Sequence, residues 1–150
     1  MITVGPGVVE WVAKQTNEYG SFNGGQGIGW TRGGELIAGV VYSDWNGVNV
    51  VAHIAGKGAN WLTRQYLAVI FDYPFMQLKS NRITCMVGES NQPSRRLCEH
   101  LGFDLETTLE GAHPSGDLLV FRLWRQDCRY LRAPYVSFIK TRTDLVRAAA

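Results

Sequence analysis

The chain has 150 residues, of which 45% are hydrophobic and 19% charged, and its formal net charge is +2. This length suits one domain that buries its own core, and so small a net charge gives no indication of nucleic-acid binding. No apolar run is long enough to span a bilayer and no signal sequence opens the chain, so we expect a cytoplasmic protein without a membrane partner.

The cysteines exclude two further classes of small protein. Cys85, Cys98 and Cys128 are an odd number and contain no Cys-x-x-Cys pair. This usage favours free thiols in a reducing compartment over a disulfide framework or a zinc site. We therefore expect no metal ion.

The first third of the chain predicts one helix and three strands. Gly5–Thr16 has Pro6 in its opening turn and apolar residues at helical spacing, and the Gly- and Asn-rich segment Asn17–Gln26 follows as a loop. A Gly-Gly turn and an Asn-Gly turn then separate three apolar runs, which predicts antiparallel strands. These strands are Gly27–Arg32, Glu35–Asp44 and Val48–Ile54.

A glycine-rich segment, Ala55–Asn60 (AGKGAN), lies between the third strand and a helix predicted from about Ala59 to Tyr73. Pro74 is expected to end or kink this helix. Backbone N–H groups at the start of a helix, together with its dipole, favour an anion such as phosphate. The segment is therefore a candidate phosphate-binding loop.

The segment Asn91–Phe103 (NQPSRRLCEHLGF) predicts a short capped helix between two strands. Pro93 suits a first helical turn, Asn91 or Ser94 can cap it, and Gly102 suits its end. The strands are Arg82–Val87 and Phe103–Leu109, and the alternating run Asp117–Trp124 is expected to pair with the second of them.

The residue sequence of Asn91–Phe103 resembles the corresponding segment of the GNAT acyl-CoA N-acetyltransferases. It is most similar to the branch that contains the ribosomal-protein N-terminal acetyltransferases. The resemblance extends over roughly residues 29–127, including the hairpin sequence Gly-Glu-Leu-Ile-Ala-Gly-Val-Val. It implies one α/β GNAT domain over residues 1–128, with a mixed, splayed β-sheet flanked by helices. Residues 129–150 then form a basic, aromatic C-terminal extension.

The resemblance also implies a function. A GNAT enzyme transfers an acetyl group from acetyl-CoA to a primary amine by direct attack within a ternary complex. The acceptor classes left open are a protein N-terminus, a lysine, a polyamine or other small amine, and an aminoacyl group on tRNA. In such a fold, Tyr19 and Phe22 of the first loop are candidates to line the acceptor pocket, although they equally suit anchors of the loop.

For the coenzyme, the resemblance places the pantetheine arm in a gap between the parallel strands Val48–Ile54 and Arg82–Val87. Two residues depart from the usual phosphate-loop pattern, because Ala55 replaces a Gln or Arg and Asn60 replaces a Gly or Ala. A weaker coenzyme affinity is therefore expected, unless the charge of Lys57 compensates. The implied coenzyme-binding residues are Ile54, Ala55, Gly56, Lys57, Gly58, Ala59, Asn60, Asn91 and Ser94.

The candidate catalytic residues are Ser94, Cys98, Glu89 and His53. Ser94 or Cys98 would protonate the leaving thiolate, and the resemblance favours Ser94, because in the ribosomal-protein branch the Ser three residues after the Asn has this role. Glu89 and His53 are candidate bases, with an ordered water as the alternative to both. Weaker candidate bases are Glu35, Asp44 and His113.

Two alternatives from other classes remain open. Cys98 is a further departure, because the superfamily often has a Tyr seven residues after the Asn. Together with Ala55 and Asn60, it suits a GNAT-like module that binds acyl-CoA without catalysis. The basic, aromatic segment 129–147 suits a nucleic-acid- or tRNA-associated protein. We expect instead that Tyr135, Phe138 and Ile139 dock onto the domain or onto the second subunit of a homodimer.

Overall fold

The structure, a computed structural model, describes residues 1–16, 22 and 25–139. Within these residues the secondary structure consists of strands, α-helices, one π-helical turn and short 3-10 turns. The strands are β1 (Ile2–Val4), β2 (Gln26–Arg32), β3 (Glu35–Ser43), β4 (Asn49–Gly56), β5 (Arg82–Gly88), β6 (Asp104–His113) and β7 (Gly116–Trp124). The α-helices are α1 (Pro6–Gln15), α2 (Arg64–Asp72) and α3 (Gln92–Leu101).

One seven-stranded sheet in the order β1-β2-β3-β4-β5-β7-β6 forms the framework. The pair β4–β5 is parallel, and every other neighbouring pair is antiparallel. Helix α1 packs on one face through Val8 and Val12, whereas α2 and α3 bury Tyr66, Ile70 and Leu101 in the larger core on the other face. The predicted fold class, one α/β domain with a mixed sheet flanked by helices, is confirmed.

The parallel strands β4 and β5 pair over a short stretch and then separate. Their ladder joins Asn49 with Arg82 and ends at the pair Val51–Thr84. Beyond that pair, β4 continues to Gly56 along β3, and β5 continues to Gly88 along β7. The predicted splay of the sheet is therefore present, and it opens a gap at the carboxyl ends of the two strands.

Helix α2 begins later than predicted. The expected start near Ala59 is wrong because Gly58 and Asn60 have positive φ angles of 68° and 65°, which a right-handed helix cannot contain. Thr63 caps the helix instead, with its hydroxyl oxygen accepting the N–H of Tyr66 at 3.2 Å. The segment between Gly56 and Thr63 is consequently a turn that packs through Trp61.

Pro74 changes the course of α2, as predicted. The α-helix ends at Asp72 and continues as a π-helical turn over Tyr73–Gln77. Proline has no N–H to donate to the carbonyl four residues earlier, which belongs to Ile70. The Tyr42 hydroxyl on β3 donates to that carbonyl instead, and this hydrogen bond connects the end of the helix to the sheet.

The described part of the C-terminal extension packs on α2. Tyr130 is buried, and its ring stacks on Phe71 with centroids 4.6 Å apart. Tyr135 and Ile139 also pack against the core, whereas Phe138 is 43% exposed. Docking is thus observed for two of the three residues expected to dock, and the division of the chain at residue 128 stays a prediction.

Two arginines of the extension make contacts within the domain. Arg129 donates to the carbonyl oxygen of His100 at 2.8 Å, and Arg132 donates to that of Gln126 at 2.7 Å. The nucleic-acid alternative depended partly on these two side chains. Lys140, Arg142 and Arg147, on which it also depended, lie outside the described residues. In the described part of the chain, none of the helices is long and apolar enough to cross a membrane.

Candidate active site

The candidate site is the gap between β4 and β5 together with the helix and loop ends around it. Side chains alternate between the two faces of a strand. Val50 and Ala52 of β4 therefore enter the core beneath α2, and His53 faces the side that α1 covers. His53 is the first residue on that face beyond the last β4–β5 pair, Val51–Thr84, so it stands where the gap opens.

His53 is held by contacts on two sides. Its Nε2 atom lies 3.0 Å from the Ser43 Oγ, and the Ser43 hydroxyl donates to the Asp44 Oδ2 at 2.9 Å. The ring of Phe22 stacks on the imidazole with centroids 4.1 Å apart. Burial lowers the pKa of His53 below its usual value, and the Asp44 carboxylate acts in the opposite direction. The neutral, basic form of the ring is thereby favoured near neutral pH.

The glycine-rich segment meets the predicted phosphate-loop geometry only in part. Gly56 ends β4, and the backbone N–H of Lys57 donates to the Ile37 carbonyl of β3 at 2.8 Å. Gly58, Ala59 and Asn60 are exposed, and the Asn60 carbonyl accepts a hydrogen bond from Arg32 at 2.8 Å. The sequence predicts an anion site at a glycine-rich turn that leads directly from a strand into a helix. In the structure, Trp61, Leu62 and Thr63 separate the turn from the helix.

The N-terminus of α2 supplies the positive end of a helix dipole at a different position. The first N–H groups of a helix lack intrahelical acceptors, and in α2 these belong to Arg64 and Gln65, both exposed. The Arg64 side chain adds a charge at the same end. Trp61 fixes the approach to this helix, because its ring packs against Gly56 so closely that any Cβ there would lie 2.2 Å from it.

Helix α3 directly follows β5 and places the other predicted residues at the same carboxyl end of the gap, on its β5 side. Asn91 is its N-cap, with the side-chain oxygen accepting the Ser94 N–H at 3.3 Å, and Ser94 is half-buried in the first turn. Cys98 lies deeper, buried beside Cys85 of β5. Its hydrogen bond and the burial of the pair raise the pKa of Cys85 well above its usual value. Ser94 is therefore the nearer of the two candidate acids to the exposed helix end.

Glu89 and His113 both lie where the end of β5 approaches the β6–β7 turn. The His113 ring packs over Gly88 at a distance where a Cβ on Gly88 would lie 2.8 Å away. Its Nδ1 atom lies 2.8 Å from the Ser115 Oγ. Glu89 is exposed, and its carboxylate lies against Gly116. These groups border the β5 side of the gap, and His53 borders the β4 side.

Several functional candidates could not be recognised along the sequence. Ser43 reaches His53 only because β3 and β4 pair Val41 with His53, which places Ser43 diagonally beside it on the same face. Arg64 becomes a candidate only once the start of α2 is known. Of the two aromatic residues named for the acceptor pocket, Phe22 is buried against His53, and Tyr19 lies outside the described residues.

Neither a family model nor a curated protein matches the chain. Solved structures do match it. The spermidine N-acetyltransferase from Vibrio cholerae, solved in complex with CoA and spermine, superposes with a TM-score of 0.68 and 17% identity over 88% of this chain and 98% of that one.

Two further solved structures are similar to the chain over a smaller part of its length. The ribosomal-protein-S5-alanine acetyltransferase from Vibrio fischeri gives a TM-score of 0.58 at 15% identity, over 70% of this chain and 64% of that one. A GNAT-family acetyltransferase from Bacillus anthracis gives 0.56 at 16% identity, over 68% and 66% of the two chains. At these identities, the likeness establishes the fold.

Proposed function

We propose that this chain, which has the GNAT acetyltransferase fold, transfers an acetyl group from acetyl-CoA to a primary amine. The observation that carries the proposal is the separation of β4 from β5 beyond the pair Val51–Thr84. Two parallel strands that part inside a sheet leave edge backbone facing the gap, and such edges pair readily with an extended ligand. The amide-containing pantetheine arm of acetyl-CoA is a ligand of this kind.

The residues on the two sides of the gap fit the rest of the coenzyme. A diphosphate at the start of α2 would meet the N–H groups of Arg64 and Gln65 and the Arg64 guanidinium. The predicted coenzyme residues Ile54 to Asn60 then lie between the strand and that helix end, and Asn91 and Ser94 stand on the β5 side of the gap. When bound there, acetyl-CoA supplies an activated thioester.

His53 is the base in this proposal. It faces the α1 side of the sheet where the gap opens, and its burial favours the neutral imidazole. The acceptor approaches from that side, where Phe22 covers the ring. As the amine nitrogen forms its bond to the acetyl carbon, His53 takes the proton that the nitrogen loses.

Ser94 is the acid. When the carbon–sulfur bond breaks, the leaving sulfur takes the proton of the Ser94 hydroxyl, which regains one from solvent. Cys98 is a packing residue in this account because its thiol is buried beside Cys85. Glu89 is exposed at the end of β5, and it would act as the alternative base through a water molecule.

The acceptor belongs to the primary amines. The solved neighbours include one enzyme named for spermidine and one named for an alanine of ribosomal protein S5. An amine attacks an acyl carbon in its neutral form, which agrees with a neutral histidine at the gap. The described contacts favour no acceptor within this class.

Calorimetry with acetyl-CoA tests the proposal at its first step. We expect binding with one site per chain and a rise in melting temperature with ligand concentration. Free adenosine bisphosphate, which lacks the pantetheine arm, should bind more weakly. A folded protein that binds neither acetyl-CoA nor CoA would overturn the proposal.

A further inference from the structure

Helix α1 covers only part of the sheet face on which it lies. It packs on β2, β3 and β4, and the same face continues onto β5, where the Thr84 hydroxyl donates to the Asn49 side chain of β4 at 2.6 Å. Side chains two residues apart on a strand share a face, so Met86 also lies on this side. Met86 is 47% exposed, and the cover that α1 gives therefore ends before β5.

Four apolar side chains form a patch on this open face. Val120 of β7 pairs with Met86, and Leu118 of β7 pairs with Leu109 of β6. Because Val120 and Leu118 lie two residues apart, the two pairs are neighbours on one face. Leu109 is 44% exposed, and Leu118 and Val120 are half-buried. We call Met86, Leu109, Leu118 and Val120 the open patch. Contiguous exposed apolar side chains that are rimmed by polar residues mark interaction sites.

The open patch borders a free edge of the sheet. Strand β6 is the last strand in the sheet order, and within the described residues it pairs with β7 alone. Its register shifts before Thr107 and after Leu109, and bulges and charges are the usual protection of an edge. The centre of the strand, Thr107, Thr108 and Leu109, has neither and is exposed. Its outward backbone N–H and C=O groups are therefore available to another strand.

The two ends of β6 carry acidic charge. The strand contains three acidic residues and no Lys or Arg, in a chain whose net charge is +2. Glu106 is paired with Arg82 and Arg122, at 2.8 and 3.1 Å, so its charge is compensated within the domain. Asp104 and Glu110, which flank the uncharged centre, are exposed. A second copy of β6 would bring further carboxylates beside these, and like charges across a strand pair are destabilising. The charge therefore favours a basic strand as the occupant of the edge.

We propose that the edge of β6 and the open patch together dock an extended, basic segment of a partner polypeptide, which joins the sheet as an additional strand. The backbone of the segment hydrogen-bonds to the centre of β6, and its apolar side chains on one face extend the open patch. Lys or Arg side chains toward its ends approach Asp104 and Glu110. This binding does not depend on acetyl transfer, so it goes beyond the function proposed above.

Heteronuclear NMR of the isotope-labelled full chain tests the docking with a designed probe. The probe is the capped peptide Lys-Val-Thr-Val-Thr-Val-Lys, which has β-branched residues in its centre and a cation at each end. We expect saturable shifts in the backbone amide signals of residues 104–110, and protection from hydrogen exchange at the outward amides of residues 107–109. A probe that shifts no β6 signals would overturn the proposal.

Two control peptides separate strand addition from charge attraction. Glu-Val-Thr-Val-Thr-Val-Glu reverses the charges and should bind roughly 10-fold more weakly, because it replaces attraction to the acidic ends by repulsion. Lys-Gly-Ser-Gly-Ser-Gly-Lys keeps the charges but lacks apolar and β-branched residues, and it should also bind roughly 10-fold more weakly. Equal affinity of the two Lys-ended peptides would overturn strand addition. A dimer of the free chain that pairs through β6, seen by light scattering and by the same amide signals, would overturn the choice of a partner segment.

Matched variants locate the docking site. Glu110→Lys should weaken binding of the probe by roughly 5-fold and strengthen binding of the Glu-ended peptide. Glu99→Lys, which changes an exposed carboxylate on α3, should leave both affinities unchanged. Leu109→Thr should weaken binding of the probe by roughly 5-fold, because it removes apolar surface from the open patch. Val136→Thr, at a 46% exposed position of the C-terminal extension, should not. Glu110 and Leu109 are both exposed, so their variants are expected to fold. A folded Glu110→Lys protein that keeps the wild-type preference between the peptides would contradict the proposal.

Discussion

The imidazole of His53 stacks on the ring of Phe22, with centroids 4.1 Å apart and planes inclined by 29°. Phe22 lies between α1 and β2 along the chain, and His53 belongs to the strand that borders the gap. The contact shields one face of the imidazole from water, and desolvation lowers the pKa of the ring. Phe22 therefore influences the protonation state of the residue that we propose as the base.

Replacing Phe22 tests this influence. Phe22→Ala should raise the pKa of His53 toward the reference value of about 6.5, because the ring becomes more hydrated. A pH titration of the His53 ring signals measures the change, with Phe22→Leu as the matched control that keeps an apolar cover. A downward shift of the pKa in Phe22→Ala would contradict the assignment of burial as the main cause.

A second prediction locates the diphosphate. Arg64→Ala should weaken acetyl-CoA binding by about 10-fold or more, because it removes a charged partner of the phosphates at the start of α2. Lys57→Ala, which removes a charge from the glycine-rich turn, should have the smaller effect. Calorimetry with both variants decides between the two positions. The reverse order of effects would return the diphosphate to residues 56–60.

The third prediction distinguishes the candidate acids. Ser94→Ala should lower kcat by about 10- to 100-fold while leaving the acetyl-CoA dissociation constant nearly unchanged. Cys98→Ala should lower thermal stability, because it removes a buried side chain, and should change kcat less. If Ser94→Ala turned over normally and Cys98→Ala were inactive yet folded, the two roles would have to be exchanged.

The fourth prediction concerns the C-terminal extension. Tyr130→Ala should destabilise the protein by about 3–5 kcal/mol, since it removes a buried aromatic ring that stacks on Phe71. Phe138→Ala, at a position that is 43% exposed, should cost about 0.5 kcal/mol or less. Urea denaturation compares the two. Equal, small losses would show that the extension does not stabilise the domain.

Much of the fold was predictable because its elements follow simple hydrophobic periods. The β2–β3 hairpin and α3 have apolar spacing and terminal residues that favour one structure, with a Gly-Gly turn in the first and Asn91 and Gly102 in the second. Strand β1 is not predicted from the sequence, because three residues, Ile2–Val4, give too short a pattern to recognise.

The start of α2 and the histidine contacts could not be predicted from the sequence. The spacing places Asn60 in a helix, and although asparagine tolerates the left-handed backbone that Asn60 adopts, its identity alone does not show where the helix begins. Ser43 and His53 lie ten residues apart along the chain, and only the register between β3 and β4 brings them together. Contacts of this kind depend on tertiary structure, which local patterns do not encode.

The central claim, acetyl transfer to an amine, is tested most directly by measuring acetyl-CoA turnover against a panel of acceptors. The panel should contain N-terminal peptides, lysine peptides, spermidine and spermine, and aminoacyl-tRNA, with mass spectrometry of the product. We predict that release of CoA is accompanied by one acetylated amine, and that His53→Gln lowers kcat by about 100-fold with acetyl-CoA binding retained. Tight binding of acetyl-CoA without turnover on any acceptor would contradict the account and favour a binding module without catalysis.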